Sequence, residues 1–197
     1  MILTCHPGDH PGLSWLRFAE PARITPAVRE IFAATEAKLG YVRNQQRVFA
    51  HKPNILAALA QLSAAVTQDP ESTLSPRERE LIALVVSAEN RCEACVFGHA
   101  AALRGITGDA EWVATIEVNY RRAKLTERER ALADYAIKLT RAAAEVEPAD
   151  VNLLRDAGIS EIGIIEAASV IAYFNLSNRL NSGLGLRANG EAYAAHR

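Results

Sequence analysis

Two eight-residue segments, LSPREREL (74–81) and LTERERAL (125–132), constrain this chain more than any other feature. Each sets Ser or Thr three residues before Glu, a capping box in which the hydroxyl accepts from an early helical N–H and the carboxylate reaches back to the cap's own N–H. Pro76 adds a first-turn residue that needs no N–H. Two helix starts are thereby fixed, and the pattern predicts one helix running to about Glu89 and another through about Ala144. The shared Leu, Arg-Glu-Arg and Leu also admit an internal duplication. At that offset Glu80 faces Ala131, Cys92 faces Ala143 and Cys95 faces Val146, so only the first copy would keep reactive groups. Two ordinary helix starts using the same capping physics account for the likeness equally well.

Other helix signals fill the rest of the chain. Thr25 and Pro26 open a helix that ends at Gly40, and Pro53 opens PNILAALAQLSAAV, whose Ile55, Leu56, Leu59, Leu62 and Val66 recur at near-helical spacing. A short helix is predicted over 150–158 and a long apolar one over 160–180. No alternating strand remains, and ALVV lies inside a helical period, so the fold class is all-α. The expected organisation is a single domain over 1–197, with a proline-rich N-terminal arm (1–24) and a glycine-rich C-terminal tail (183–197). Leu13, Trp15, Leu16 and Phe18 are the arm's expected packing anchors.

Charge excludes some functions. With 22 basic and 23 acidic side chains the net charge is −1, which argues against a nucleic-acid partner. The N-terminus lacks the basic start and apolar core of a secretory signal, so a cytoplasmic protein is expected. The most apolar stretch, 162–174, contains Glu166 and is too short to span a bilayer as a single helix. Three cysteines in such a chain are no disulfide scaffold.

Two of them lie in RCEACVFGHA (91–100). If a helix begins near Arg91 or Cys92, then Cys92 sits in its first turn, Cys95 one turn on, and His99 at i+4 from Cys95 on the same side. A helix N-terminus stabilises a thiolate, and two cysteines so spaced can close a short disulfide. His99 can polarise Cys95. If the helices pack antiparallel, Glu80, twelve residues before Cys92 at the border of an apolar stripe, is placed to orient the imidazole or hold a proton; a solvated charge in the run PRERE is the competing reading, and the one the residues alone favour. Zinc would need a fourth ligand, from Cys5, His51 or Glu80, and no second cysteine pair exists. Two small buried cysteines and a carbonyl-bonded histidine form the competing reading. A thioredoxin fold is not expected, because the preceding element is helical.

The run EREL followed by CEACVFGH resembles the AhpD-like alkylhydroperoxidase and carboxymuconolactone decarboxylase superfamily, whose redox-active members carry a glutamate and, twelve residues later, C-x-x-C-x-x-x-H. The resemblance extends over roughly residues 20–190 and is nearest to the branch labelled peroxidase-related enzymes. It implies an AhpD-like multi-helical fold, a homo-oligomer with the site near a subunit boundary, and a thiol-dependent peroxidase acting on small hydroperoxides. In that scheme Cys95 attacks the peroxide, Cys92 condenses with the resulting sulfenic acid, and Glu80 and His99 relay protons, with no metal, haem or other cofactor. A small thiol or a lipoylated protein would be the reductant. Ala94 departs from the pattern, where a second histidine commonly precedes the second cysteine; water, Glu93 or a group from elsewhere would have to substitute. The alternatives are a non-redox enzyme of the carboxymuconolactone decarboxylase type, which generally lacks the cysteine pair, and a non-catalytic redox sensor or interaction protein.

Other residues carry milder expectations. Trp112 is expected to pack and His51 to lie at the surface. Glu166, Tyr173, Asn175 and Asn178 are expected to make intersubunit or supporting hydrogen bonds, and Cys5, His6 and His10 are expected to be spectators.

Overall fold

A computed structural model describes residues 12–197; Cys5, His6, His10 and the first part of the arm lie outside the described residues. Among the described residues there are ten α-helices and no strand. They are α1 (Pro26–Leu39), α2 (Asn44–Phe49), α3 (Pro53–Thr67), α4 (Pro76–Glu89), α5 (Glu93–Thr107), α6 (Ala110–Asn119), α7 (Glu127–Arg141), α8 (Pro148–Asp156), α9 (Glu161–Gly183) and α10 (Gly190–Ala194).

Both capping boxes form. Ser75 Oγ accepts from Glu78 N at 3.2 Å while Glu78 accepts from Ser75 N at 2.8 Å, and Thr126 and Glu129 repeat the exchange at 3.1 and 2.9 Å. The two boxes also lock onto each other. Arg77 Nε donates to Glu129 at 2.6 Å, and Arg128 Nε donates to Glu78 at 2.5 Å, the same contact with the copies exchanged. Arg79 donates to the Leu74 and Asp69 carbonyls, and Arg130 to the Tyr120, Arg121 and Ala123 carbonyls. Ser75 and Thr126 stand 51 positions apart, as do Asp109 and Ser160, the caps of α6 and α9. Helices α4 and α6 thus start at the same offset as α7 and α9, the spacing an internal duplication would give.

The principal core lies where the copies meet. Leu81, Ile82, Leu84 and Val86 of α4, Leu132, Ala133 and Ala136 of α7, and Ala167 and Ile171 of α9 have no exposed surface. Helix α4 is buried on nearly every side, which is why its apolar residues form no narrow stripe. Each fully buried Leu or Ile contributes about 1.5–3 kcal/mol. A second cluster, with Phe18, Val28, Val48, Phe49, Leu56 and Leu186, joins the arm, α1–α3 and the segment after α9.

Several boundaries differ from expectation. Helix α2, polar and six residues long, went unread in the sequence because its first N–H, at Asn44, is satisfied by Asn189, 145 positions away. Helix α7 stops at Arg141, short of Ala144, and a 3₁₀ turn follows over Ala143–Glu145. Helix α9 continues through Gly183, beyond the expected end near 180, and the tail after it is docked, with α10 packed on α5. Trp15 is 78% exposed despite its expected anchoring role, whereas Phe18 is buried. The Trp15 ring lies across Gly185, where a Cβ would fall 2.4 Å from it at a backbone φ of +60°. No single helix among the described residues is long and apolar enough to cross a membrane.

Candidate active site

The site is built on the hairpin between α4 and α5. Arg91 adopts a left-handed φ of 53°, its N–H donates to Ala88 O at 3.1 Å, and the Cys92 N–H donates to Ser87 O at 3.0 Å. This double turn satisfies the last carbonyls of α4. Cys92 is then the N-cap of α5 rather than a residue of its first turn, and its carbonyl accepts from Cys95 N and Val96 N at 3.1 and 2.8 Å. One residue therefore ends one helix and begins the next.

The fold brings the four expected residues together. His99 Nδ1 and Glu80 Oε2 are 2.7 Å apart, both side chains mostly shielded, and the imidazole meets Phe174 edge-on at 4.2 Å. Cys95, His99 and Glu80 line one cavity of ≈ 280 Å³, together with Ala94, Phe174 and Asn181. Cys92 is buried, and among the described residues it is not part of that wall. Both thiols are free.

Their proton affinities part in opposite directions. A hydrogen bond from the Cys95 thiol lowers Cys92 to about 7; burial opposes this, while the Cys95 amide and Asn181 assist. The same thiol–thiol bond, together with burial, holds Cys95 well above the ordinary range. In the reduced pair the lowered thiol is therefore Cys92, whereas the resemblance to the family implies Cys95 as the attacking thiolate. The sulfur that meets the cavity is nevertheless Cys95.

Asn181 is the residue that sequence reasoning missed. Its Nδ2 donates to Cys95 Sγ at 3.0 Å, while its Oδ1 is buried with no partner. Asn178 Nδ2 donates to Ser87 Oγ at 3.2 Å, and Asn90 donates to Asn178 and Asn175, both at 2.9 Å. Asparagines at 175, 178 and 181 recur every three residues along α9, and that spacing was the available signal. Asn175 and Asn178 thus make the supporting bonds expected of them. Glu166, by contrast, stays away from the site and caps the loop before α4, accepting from Thr73 N and Oγ1 and from Leu74 N.

Glu93, one of the expected substitutes for the histidine absent at Ala94, pairs with Arg187 at 2.8 Å and is not among the described residues of the cavity wall. His196 enters the cavity wall from the tail, its ring 3.2 Å from where a Gly105 Cβ would lie. Gly105 is ten residues beyond Cys95, about 15 Å along α5, too far for His196 to reach Cys95 directly. His51 Nε2 donates to Arg17 O, 3.0 Å away at the surface, and Trp112 Nε1 donates to Lys124 O with Arg77 stacked on its ring. No cluster of three His, Cys, Asp or Glu side chains suited to a metal occurs among the described residues.

Residues 53–119 match the carboxymuconolactone decarboxylase family model. An uncharacterized peroxidase-related protein from Ralstonia eutropha, with an alkylhydroperoxidase AhpD core, superposes with a TM-score of 0.90 at 31% identity over 98% of each chain. Another peroxidase-related protein, from Silicibacter sp., superposes with a TM-score of 0.88 at 34% identity, over 98% of this chain and 100% of that one. The debrominase Bmp8, solved with 2,3,4-tribromopyrrole, shares the fold at 18% identity and a TM-score of 0.76, over 90% of this chain and 92% of that one. No curated protein matches.

Proposed function

Because this chain belongs to the AhpD-like alkylhydroperoxidase and carboxymuconolactone decarboxylase superfamily, we propose that it is a thiol-dependent peroxidase whose Cys92–Cys95 pair reduces hydroperoxides. The observation that carries this reading is Cys95 in the cavity wall, its thiol hydrogen-bonded to Cys92 and Asn181 and sharing that wall with the His99–Glu80 pair.

Loss of one proton near pH 7 leaves one negative charge across the S–H···S contact. Transfer of the Cys95 proton to Cys92 puts that charge on the cavity-facing sulfur. The Cys95 thiolate then attacks the terminal oxygen of R–O–O–H, the O–O bond breaks, and Cys95–S–OH and RO⁻ result. The His99–Glu80 pair supplies the proton that lets RO⁻ leave as an alcohol. Asn181 suits this step, since its Nδ2 donates to the Cys95 sulfur and favours its charged form. Cys92 next attacks the Cys95 sulfur and the sulfenic hydroxyl departs as water, forming the disulfide. An external dithiol, either a small thiol or a lipoylated protein, returns both cysteines to the reduced state.

The lowered Cys92 favours a second assignment, in which Cys92 attacks and Cys95 resolves. Mass spectrometry of the reduced protein after one equivalent of cumene hydroperoxide tests both. Conversion to a Cys92–Cys95 disulfide within minutes supports the peroxidase; unchanged thiols after hours sink it. With dimedone present, Cys92→Ser should trap a sulfenic acid at Cys95 and Cys95→Ser should trap none. The reverse pattern transfers the attacking role to Cys92.

A second copy of the chain is the proposed partner. Helix α3 carries no Asp, Glu, Lys or Arg, and only Leu56 of its fifteen residues is buried. An apolar helix left so open is an interaction face.

A further inference from the structure

The catalytic cavity does not stand alone. It adjoins a second cavity of ≈ 270 Å³, and the two share Lys38, Arg43 and Tyr173 in their walls. Ile31, Ala34, Phe49, Leu56 and Leu59 make the far wall of the second cavity apolar. Each volume lies just under the range of about 300–1,000 Å³ usual for small-molecule sites, so a ligand larger than a bare peroxide would draw on both.

Lys38 and Arg43 are the charged side chains common to both walls. Neither forms an ion pair among the described residues, although Arg77, Arg128, Lys138, Arg141, Arg155 and Arg187 each hold a carboxylate. Glu80 is the one carboxylate on either wall, and His99 already engages it. Tyr173 lines both cavities and is mostly buried. One ligand can therefore meet the cations and the sulfur together.

We propose that the substrate of this site is an organic hydroperoxide bearing its own carboxylate, with the O–O bond at Cys95, the carboxylate between Lys38 and Arg43, and an apolar body in the second cavity. The proposal rests on the peroxidase reading above and adds the class of peroxide. A guanidinium forks onto a carboxylate through two parallel N–H donors, which gives orientation as well as attraction. The apolar wall then separates fatty or aromatic acids from small hydrophilic ones. Both cations are exposed, so the preference is salt-sensitive.

The test compares linoleic acid hydroperoxide with its methyl ester at saturating dithiothreitol. The wild type should favour the acid by about tenfold in kcat/KM, a difference of about 1.4 kcal/mol. The Lys38→Gln/Arg43→Gln variant should bring that ratio close to one, and 0.5 M salt should shrink it in the wild type. An acid-to-ester ratio near one in the wild type, or a ratio unchanged in the double variant, overturns the proposal. Calorimetry with decanoate, which holds no peroxide, separates this outcome from failure of the peroxidase itself. Decanoate binding that disappears in the double variant supports the anion site even if no hydroperoxide is consumed, whereas no binding to the wild type removes it.

Discussion

Asn181, Cys92 and Cys95 share one small hydrogen-bonded group, and the titration of that group is the most direct test at the residue scale. With Cys92 lowered to about 7, its thiolate forms as pH rises through 7, so alkylation by iodoacetamide should accelerate from pH 6 to 8 and then level off. Asn181 donates to the sulfur and favours its charged form, so Asn181→Ala should move the midpoint upward and slow peroxide reduction, read by stopped-flow against pH. A profile that keeps its midpoint would show that the amide only fills space. Arg91 offers a second test. Its left-handed backbone costs a residue with a Cβ about 1–2 kcal/mol, so Arg91→Gly should leave stability unchanged or raise it by up to that amount in urea melts. The Glu80–His99 contact was legible from spacing only with the two helices packed antiparallel, because both side chains lie on adjoining helices of one short hairpin. Asn181, 86 positions from Cys95, was not.

At the scale of elements, the two capping boxes set the architecture. Each cap hydroxyl satisfies an N–H that the helix itself leaves unpaired, so Ser75→Ala and Thr126→Ala should each cost about 1 kcal/mol in chemical denaturation. Glu78→Ala should cost more than Ser75→Ala, since the mostly buried Glu78 also receives Arg128. The reciprocal ion pairs explain why the two segments share Arg-Glu-Arg: each copy's cap carboxylate is the other copy's anion. The second copy has its own cavity of ≈ 490 Å³, where Ala131 stands at the position of Glu80 and Asp150, bonded to Lys138, at that of His99. That cavity carries no cysteine on its wall among the described residues.

On the scale of the whole molecule, the C-terminal tail closes one end of the site. Arg104 is buried on α5 and donates to the carbonyls of Ala192, Tyr193 and Ala195, fixing the segment that carries His196. Arg104→Ala leaves those acceptors unsatisfied, at about 1–3 kcal/mol, and should speed amide exchange across residues 190–197 while leaving α4 and α7 protected. Helix α3 makes the other prediction. Leu62, 43% exposed on its uncharged surface, should matter for assembly, so Leu62→Glu should lower the mass measured by light scattering if a second copy covers that face.

The sequence by itself determined the helical class, the starts of α1, α3, α4 and α7, and the placing of Cys92, Cys95 and His99 along the start of α5. Capping, the glycine stop at Gly40 and the i,i+4 relation act within a few residues, so the local order of side chains suffices to read them. Tertiary structure alone decided which sulfur is lowered, that Asn181 binds Cys95, that α2 forms, that the tail docks, and that Lys38 and Arg43 meet at one cavity junction. Each of those outcomes depends on groups far apart in the chain, whose separation only packing of the two cores removes. Their hydrogen bonds and desolvation have no counterpart in any short window of the sequence.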